Sequence, residues 1–328
     1  MATHDNNEVF AGMNAVQVLT SLRDTLKEYD GTVLAEAMAS PLRVEKCIVQ
    51  RSKLIDLAKM MRMEATKFHM MCSDKLNEGE DGKSYYQHLF GAVTAFLTSF
   101  EHRLCSGAVP LRRVVHSILK EFSSAMLEMC NIVMAGEGGK PVNADAMRTC
   151  VGRVWSVCDQ VEKAALTNMT AARAAIIEQV QLMRSAMEEV KEGEGDIDDS
   201  EEEKRAFTTT CSLLSMAEDR VKASLYAFKG VNEEEKEDVM WTGEMVESVK
   251  SVAAAVDEVA CALWGDEGDI FGLGMEEEKM GEEEEGQEDT KRKRRDAADA
   301  LGAALTQLLT TSKKRGGGEG GEAEKASQ

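Results

Sequence analysis

Residues 110–133, PLRRVVHSILKEFSSAMLEMCNIV, decide the fold class. Leu111, Val115, Ile118, Phe122, Ala125, Met129 and Ile132 recur every three or four residues, which places them on one side of an α-helix. Val114, Leu119, Met126 and Val133 widen that side. A helix with so broad an apolar face must be covered from several directions, so it belongs at the centre of a bundle. Pro110 suits the first turn, where its missing N–H has no intrahelical partner to lose.

The same periodicity extends on both sides. A first helix is predicted from Glu8 to Tyr29 through Val9, Met13, Val16, Leu19, Leu22 and Leu26, with Asp30-Gly31 as its stop. Ser40 and Pro41 read as the N-cap and first residue of a second helix along Val44, Cys47, Leu54, Ala58, Met61, Ala65, Phe68 and Cys72. NEGEDG (77–82) reads as a turn, followed by a helix from Lys83 to Cys105. After GEGGKP (136–141), the stretch from Asn143 to Glu192 has no Pro and only Gly152, which predicts one very long helix or two joined end to end. Its seam of Met147, Val151, Val154, Cys158, Val161 and Ala165 resumes one residue out of phase at Ile176, Val180, Met183, Met187 and Val190. The drift of a straight helix, ~20° per heptad, nearly covers that shift, so a long helix 143–192 could be shared by two bundles.

Further on, Phe207, Cys211, Leu214, Val221, Leu225 and Phe228 form a sixth seam. Val239, Thr242, Val246, Val249, Ala253, Val256, Ala260 and Leu263 form a seventh. A last helix is expected to cap at Asp296, with Leu301, Ala304, Leu305, Leu308 and Leu309 on one face. The sum is an all-α protein of about eight helices in two packed helical bundles. The expected division is an N-terminal bundle over 5–192, an acidic linker over 193–203 and a C-terminal bundle over 204–312. Disorder is expected in an acidic insert at 266–289 and in the tail at 313–328.

Composition agrees with helices and narrows function. In 328 residues there are only 3 Pro, and aromatics make up 5% against 43% hydrophobic residues, so Leu, Val, Ala and Met carry the cores. A net charge of -20 repels phosphate backbones and anionic lipid, which argues against nucleic acid or a membrane surface as the direct partner. The 8 Cys never form C-x-x-C and no signal peptide opens the chain, so they read as reduced thiols of the cytosol or nucleus. No apolar run approaches the ~20 residues that cross a bilayer.

Motifs for chemistry fail on geometry or context. His69 with Cys72 and His102 with Cys105 have a spacing zinc accepts. Each pair ends its own helix, however, and an antiparallel hairpin would hold the pairs ~30 Å apart. His88 could approach His69 and Cys72, but packing at a helix end accounts for it. GEGGK (136–140) lacks the first Gly, the Ser or Thr and the preceding strand of a phosphate loop. The sequon at Asn168 falls inside a helix, and paired acids such as Glu188 and Glu189 are too abundant to single out. Arg51, which interrupts the second seam, reads as a side chain reaching the bundle edge, and the many Met residues read as core filling. No catalytic residue, metal ligand or cofactor site is assigned, and a small-molecule ligand is not expected.

Interaction signals remain. Lys291, Arg292, Lys293, Arg294 and Arg295 form a basic run that reads as a nuclear import signal in the flexible approach to the last helix. Charge compensation against the preceding carboxylates is the alternative. Glu194, Asp196, Asp198, Asp199, Glu201, Glu202 and Glu203 form an acidic loop suited to basic partners.

RMEATKF (62–68), VPLRRVVHSILKEFSSAMLEM (109–129), VWSVCDQV (154–161), EQVQLMRSAMEEVKE (178–192) and VDEVACALW (256–264) resemble the cyclin-D-binding protein family, the Grap and cyclin-D interacting proteins. The resemblance spans most of Arg43 to Leu309. It implies N- and C-terminal helical domains in the style of vinculin and catenin bundles, and residence in nucleus and cytoplasm. It further implies negative regulation of cell-cycle progression by binding cyclin D and helix-loop-helix regulators, without catalysis. The chain has no R-x-L or K-x-L docking tripeptide, so a cyclin contact would need a folded helical surface. A load-bearing bundle of cytoskeletal or adhesion type is the competing reading.

Overall fold

The structure is a computed structural model, and it describes residues 10–42, 50–73, 79–135, 142–192, 200–232, 235–264 and 283–316. All described elements are helical and none is a strand. Contacts divide the chain into two compact units, Met1–Ala171 with Glu233–Lys236 and Ala172–Asn232 with Glu237–Gln328.

In the first unit, α1 (Ala15–Glu28) runs through a π-helical turn (Tyr29–Val33) into the short α2 (Leu34–Ala39). Then come α3 (Arg51–Ser73), α4 (Gly79–Ser106), α5 (Val109–Ala135) and α6 (Ala144–Lys163). Helix α3 packs on α4, α4 on α5, α5 on α6 and α6 back on α3, closing a four-helix bundle, while α1 covers the groove between α4 and α5. The broad face of α5 explains its position: Leu111, Val115, Ile118, Leu119, Phe122, Ala125, Met126, Met129 and Val133 are all buried. Phe96 stacks on Phe100 at 4.4 Å and meets Phe122 at 4.1 Å in the middle of this core. The seam predicted on α3 is buried from Leu54 to Cys72.

The second unit contains most of α7 (Asn168–Glu192), then α8 (Glu201–Ser224) with a 3-10 turn (Leu225–Phe228), α9 (Lys236–Trp264) and α10 (Glu283–Gly316). All eight seam residues predicted on α9, from Val239 to Leu263, are buried. Ile176, Val180, Met183 and Val190 of α7, Leu214 and Val221 of α8, and Leu301 and Leu308 of α10 complete the apolar interior. Glu218 ties α8 to α7 through Arg184 at 2.6 Å and to Lys222 on its own helix at 2.7 Å.

Several boundaries differ from the sequence reading. The stretch 143–192 is not one long helix: Ala164 is extended, and the chain turns before α7 restarts at Asn168. Thr167 and Thr170 cap that restart reciprocally, each hydroxyl accepting from the other's backbone N–H at 3.2 Å. The shift in seam phase therefore comes from a break rather than from helical drift. Ser40 closes α2 instead of opening a helix, and Asn14, not a residue near Glu8, starts α1 through a capping box with Gln17. Asp30-Gly31 lies within the π turn and does not stop the chain. Helix α4 begins at Gly79, inside the predicted turn, Val16 of the first seam is exposed, and Leu309 is exposed on α10. Within the expected disordered segments, 283–289 and 313–316 are helical, while 266–282 and 317–328 lie outside the described residues, as does GEGGK.

Candidate interaction surface

Helices α3 and α6 lie antiparallel, and polar rungs join them along their solvent side. At one end Arg51 donates to the Glu162 carbonyl at 2.7 Å, as the edge reading of that residue anticipated. Farther along, Arg62 pairs with Asp159 at 2.6 Å, and its guanidinium lies 5.1 Å from the centre of the Trp155 ring. The Trp155 indole N–H donates to the Thr66 hydroxyl at 3.3 Å. Each of these side chains is set by helical spacing: Arg62 and Thr66 are one turn apart, as are Trp155 and Asp159. The indole is thus held on two sides while 38% of the residue stays exposed. Met63 and Met70, two turns apart on α3, are 57% and 58% exposed on the same outward side. Tryptophan, methionine and arginine are the side chains enriched where proteins meet.

Behind this face, the α3–α4 seam buries a carboxylate. Glu64 is 2% exposed. One of its oxygens accepts from Lys67 at 2.7 Å, His88 Nδ1 lies 3.6 Å from the other, and the Tyr85 hydroxyl donates to its backbone carbonyl at 2.9 Å. Burial, then the Glu64 charge, holds the Tyr85 hydroxyl well above its ordinary range. His88 therefore faces Glu64 rather than completing a site with His69 and Cys72, whose thiol burial pushes up to about 12 against a hydrogen bond from Tyr86. Burial likewise raises Cys130 and Cys158 to about 12 and Cys150 to about 11. Among the described residues, no three His, Cys, Asp or Glu side chains gather as a metal set.

A second polar knot sits where the first unit ends. Arg103, buried near the end of α4, donates from Nε and Nη2 to the Leu166 carbonyl at 2.9 and 2.7 Å. The Asn168 side-chain oxygen accepts from the Ala108 N–H at 2.6 Å. Together they fasten the α6–α7 turn to the α4–α5 turn, a job for polar residues that periodicity does not reveal. The Thr-x-x-Thr spacing at 167–170 was the local signal available.

The basic run lies inside α10, whose helix starts at Glu283, so Asp296 is not its cap. The acidic opening of that helix suits its positive end, and the cations follow later. Arg294 donates to the carbonyls of Ala262 and Leu263 at 3.2 and 2.7 Å, tying the run to the end of α9, while Lys291, Arg292, Lys293 and Arg295 are exposed. Of the acidic loop, Glu194, Asp196, Asp198 and Asp199 lie outside the described residues. Glu201, Glu202 and Glu203 are not loop but the first turn of α8, capped by Ser200, whose hydroxyl accepts from the Glu203 N–H at 3.2 Å. In the second unit, α9 and α10 also border an open cleft of about 640 Å³ whose edge Lys314 and Glu244 close with a 2.8 Å ion pair. No described helix is long and apolar enough to cross a membrane.

Residues 53–196 match the family described as Grap2 and cyclin-D-interacting, N-terminal. That match runs through α3, α4, α5, α6 and α7 and includes Arg62, Met63, Thr66, Met70, Trp155 and Asp159 of this surface, while Arg51 lies just before it. The chain is also similar to a protein from Danio rerio named Cyclin-D1-binding protein 1 homolog, with 22% identity over 236 residues, 64% of this chain and 68% of the relative. Both comparisons agree with the resemblance carried by RMEATKF and VWSVCDQV: residues 53–196 are similar to the N-terminal region of the Grap2 and cyclin-D-interacting family.

Proposed function

We propose that this chain is a non-enzymatic interaction protein that binds a D-type cyclin through a folded helical surface and thereby restrains cell-cycle progression. The carrying observation is the coincidence of the family match with α3 and α6, whose outward side holds Trp155, Met63 and Met70 ready for contact. The relative's name, Cyclin-D1-binding protein 1 homolog, supports a cyclin as the partner. Because the chain has no R-x-L or K-x-L tripeptide, the contact uses side chains that the bundle brings together. Helix-loop-helix regulators are a second class of partner under the same reading.

Residence is divided between nucleus and cytoplasm, with exposed Lys291, Arg292, Lys293 and Arg295 supplying an import signal. The acidic segment 193–203 selects partners with basic edges. The test is co-purification of the full chain with a D-type cyclin from the same cells. Stoichiometric recovery is expected. Failure to recover a complex from either direction of capture would remove the cyclin from the proposal.

A further inference from the structure

We infer that the outer side of α3 and α6 is a docking surface for an acidic amphipathic helix. This deepens the interaction reading above and rests on it for the claim that a protein partner exists. The main observation is a local reversal of charge. The chain carries a net -20, yet the exposed charged residues of α3 are Arg51, Lys53, Lys59, Arg62 and Lys67, against Asp56 alone. The other carboxylate of α3, Glu64, is buried and turned toward Lys67 and His88. Lys67 is paired with Glu64 and Arg62 with Asp159, while α6 sets its carboxylates Asp145, Asp159 and Glu162 against its own Arg148, Arg153 and Lys163, so Arg51, Lys53 and Lys59 keep the outer side of α3 cationic.

The apolar component lies among these cations. Met63 and Met70 are spaced by seven residues, ~10 Å along the axis, which is the spacing of anchor contacts between packed helices. Met side chains adjust to the shape of what they meet. Trp155 provides the fixed element. Its N–H is satisfied by Thr66 and its ring is stacked by Arg62, so the exposed edge is presented without rotamer freedom to lose on binding. Gly152, one turn before it on α6, leaves open space beside the ring, where an added Cβ would meet nothing within 4 Å.

The occupant that fits has apolar residues at i, i+3, i+4 and i+7 to cover Met63, Met70 and the indole edge. Glu or Asp on its flanks would meet Lys53, Lys59 and Arg51. Charge complementarity selects this partner over a neutral or basic helix, and over nucleic acid or anionic lipid the apolar stripe selects a peptide.

The experiment uses the full chain and a fluorescein-labelled helical peptide with Leu at i, i+3, i+4 and i+7 and Glu at the remaining outward positions, followed by anisotropy. Two double variants are compared, Lys53→Glu with Lys59→Glu, and Met63→Asp with Met70→Asp, each checked for unchanged helical circular dichroism. Binding by the parent chain, weakened tenfold or more in each variant and falling with added salt in the parent, is the expected result. No binding by the parent, or equal binding by parent and variants, would overturn the proposal. So would binding of a peptide copying the chain's own residues 276–289 in place of the amphipathic probe, which would identify an internal occupant. The same variants are tested for capture of a D-type cyclin. If the parent captures the cyclin and both variants capture it equally, the surface is wrong and the cyclin reading stands. If the peptide responds as expected and no cyclin is captured, the surface stands and the cyclin reading falls.

Discussion

At the residue scale, glycine separates tight positions from open ones. At Gly107, between α4 and α5, an added Cβ would come within 3.1 Å of the Leu111 side chain and 3.2 Å of the Arg103 carbonyl. Gly152 and Gly302 lie in helix interiors with nothing near an added Cβ. Gly152→Ala and Gly302→Ala should each stabilise the fold by about 0.5–1 kcal/mol, whereas Gly107→Ala should lower stability, all read by thermal melting. Asn168→Ala removes the acceptor for the buried Ala108 N–H and should cost about 2 kcal/mol in denaturant unfolding. Among the thiols, Cys72, Cys130 and Cys158 are buried and held up to about 12 by that burial, while Cys261 is exposed. A maleimide at neutral pH should therefore label Cys261 in the folded chain and reach those three only on unfolding.

The same thiols set an alkaline limit. Their folded values exceed the ordinary 9.0, so between 9 and about 12 the unfolded chain loses protons that the folded chain keeps. Their contribution is complete below pH 9 and is lost as pH rises through that window, so the melting temperature should fall steeply there. Glu218 works on the acid side: burial opposes its ionisation, but Lys222 and Arg184 overcome it and hold the carboxyl below its usual value. Its contribution is present at neutral pH and is lost as acid protonates it.

At the scale of elements, seams were legible and ends were not. The eight positions of α9 alternate by three and four without exception, and burial follows them from Val239 to Leu263. Ser-Pro at 40–41, by contrast, is compatible with either end of a helix, and only the packing of the π turn and α2 decides that it closes one. Residues 164–167 are Ala, Ala, Leu and Thr, which a helix accepts, so the break there depends on Arg103, distant in sequence, drawing the Leu166 carbonyl. Trp155 was visible as part of a family motif, but its exposure was not, because a tryptophan on an amphipathic helix reads as core. Arg294 was visible as one of five cations, and its attachment to α9 was not. Arg294→Ala should leave helix content unchanged while speeding amide hydrogen exchange in the first turns of α10 and the last turn of α9.

At the scale of the whole molecule, charge and surface point in different directions. A chain of net -20 places a cationic, methionine-bearing helix on its first unit, within the segment that matches the Grap2 and cyclin-D-interacting family. Partner binding should therefore weaken as salt rises even though the protein as a whole is acidic, and calorimetry across an ionic-strength series would read the slope. The most direct measurement is hydrogen–deuterium exchange of the full chain alone and with a D-type cyclin. The account predicts protection concentrated on the exposed sides of Arg51–Ser73 and Ala144–Lys163. No change in exchange, or protection confined to residues 172–328, would contradict it.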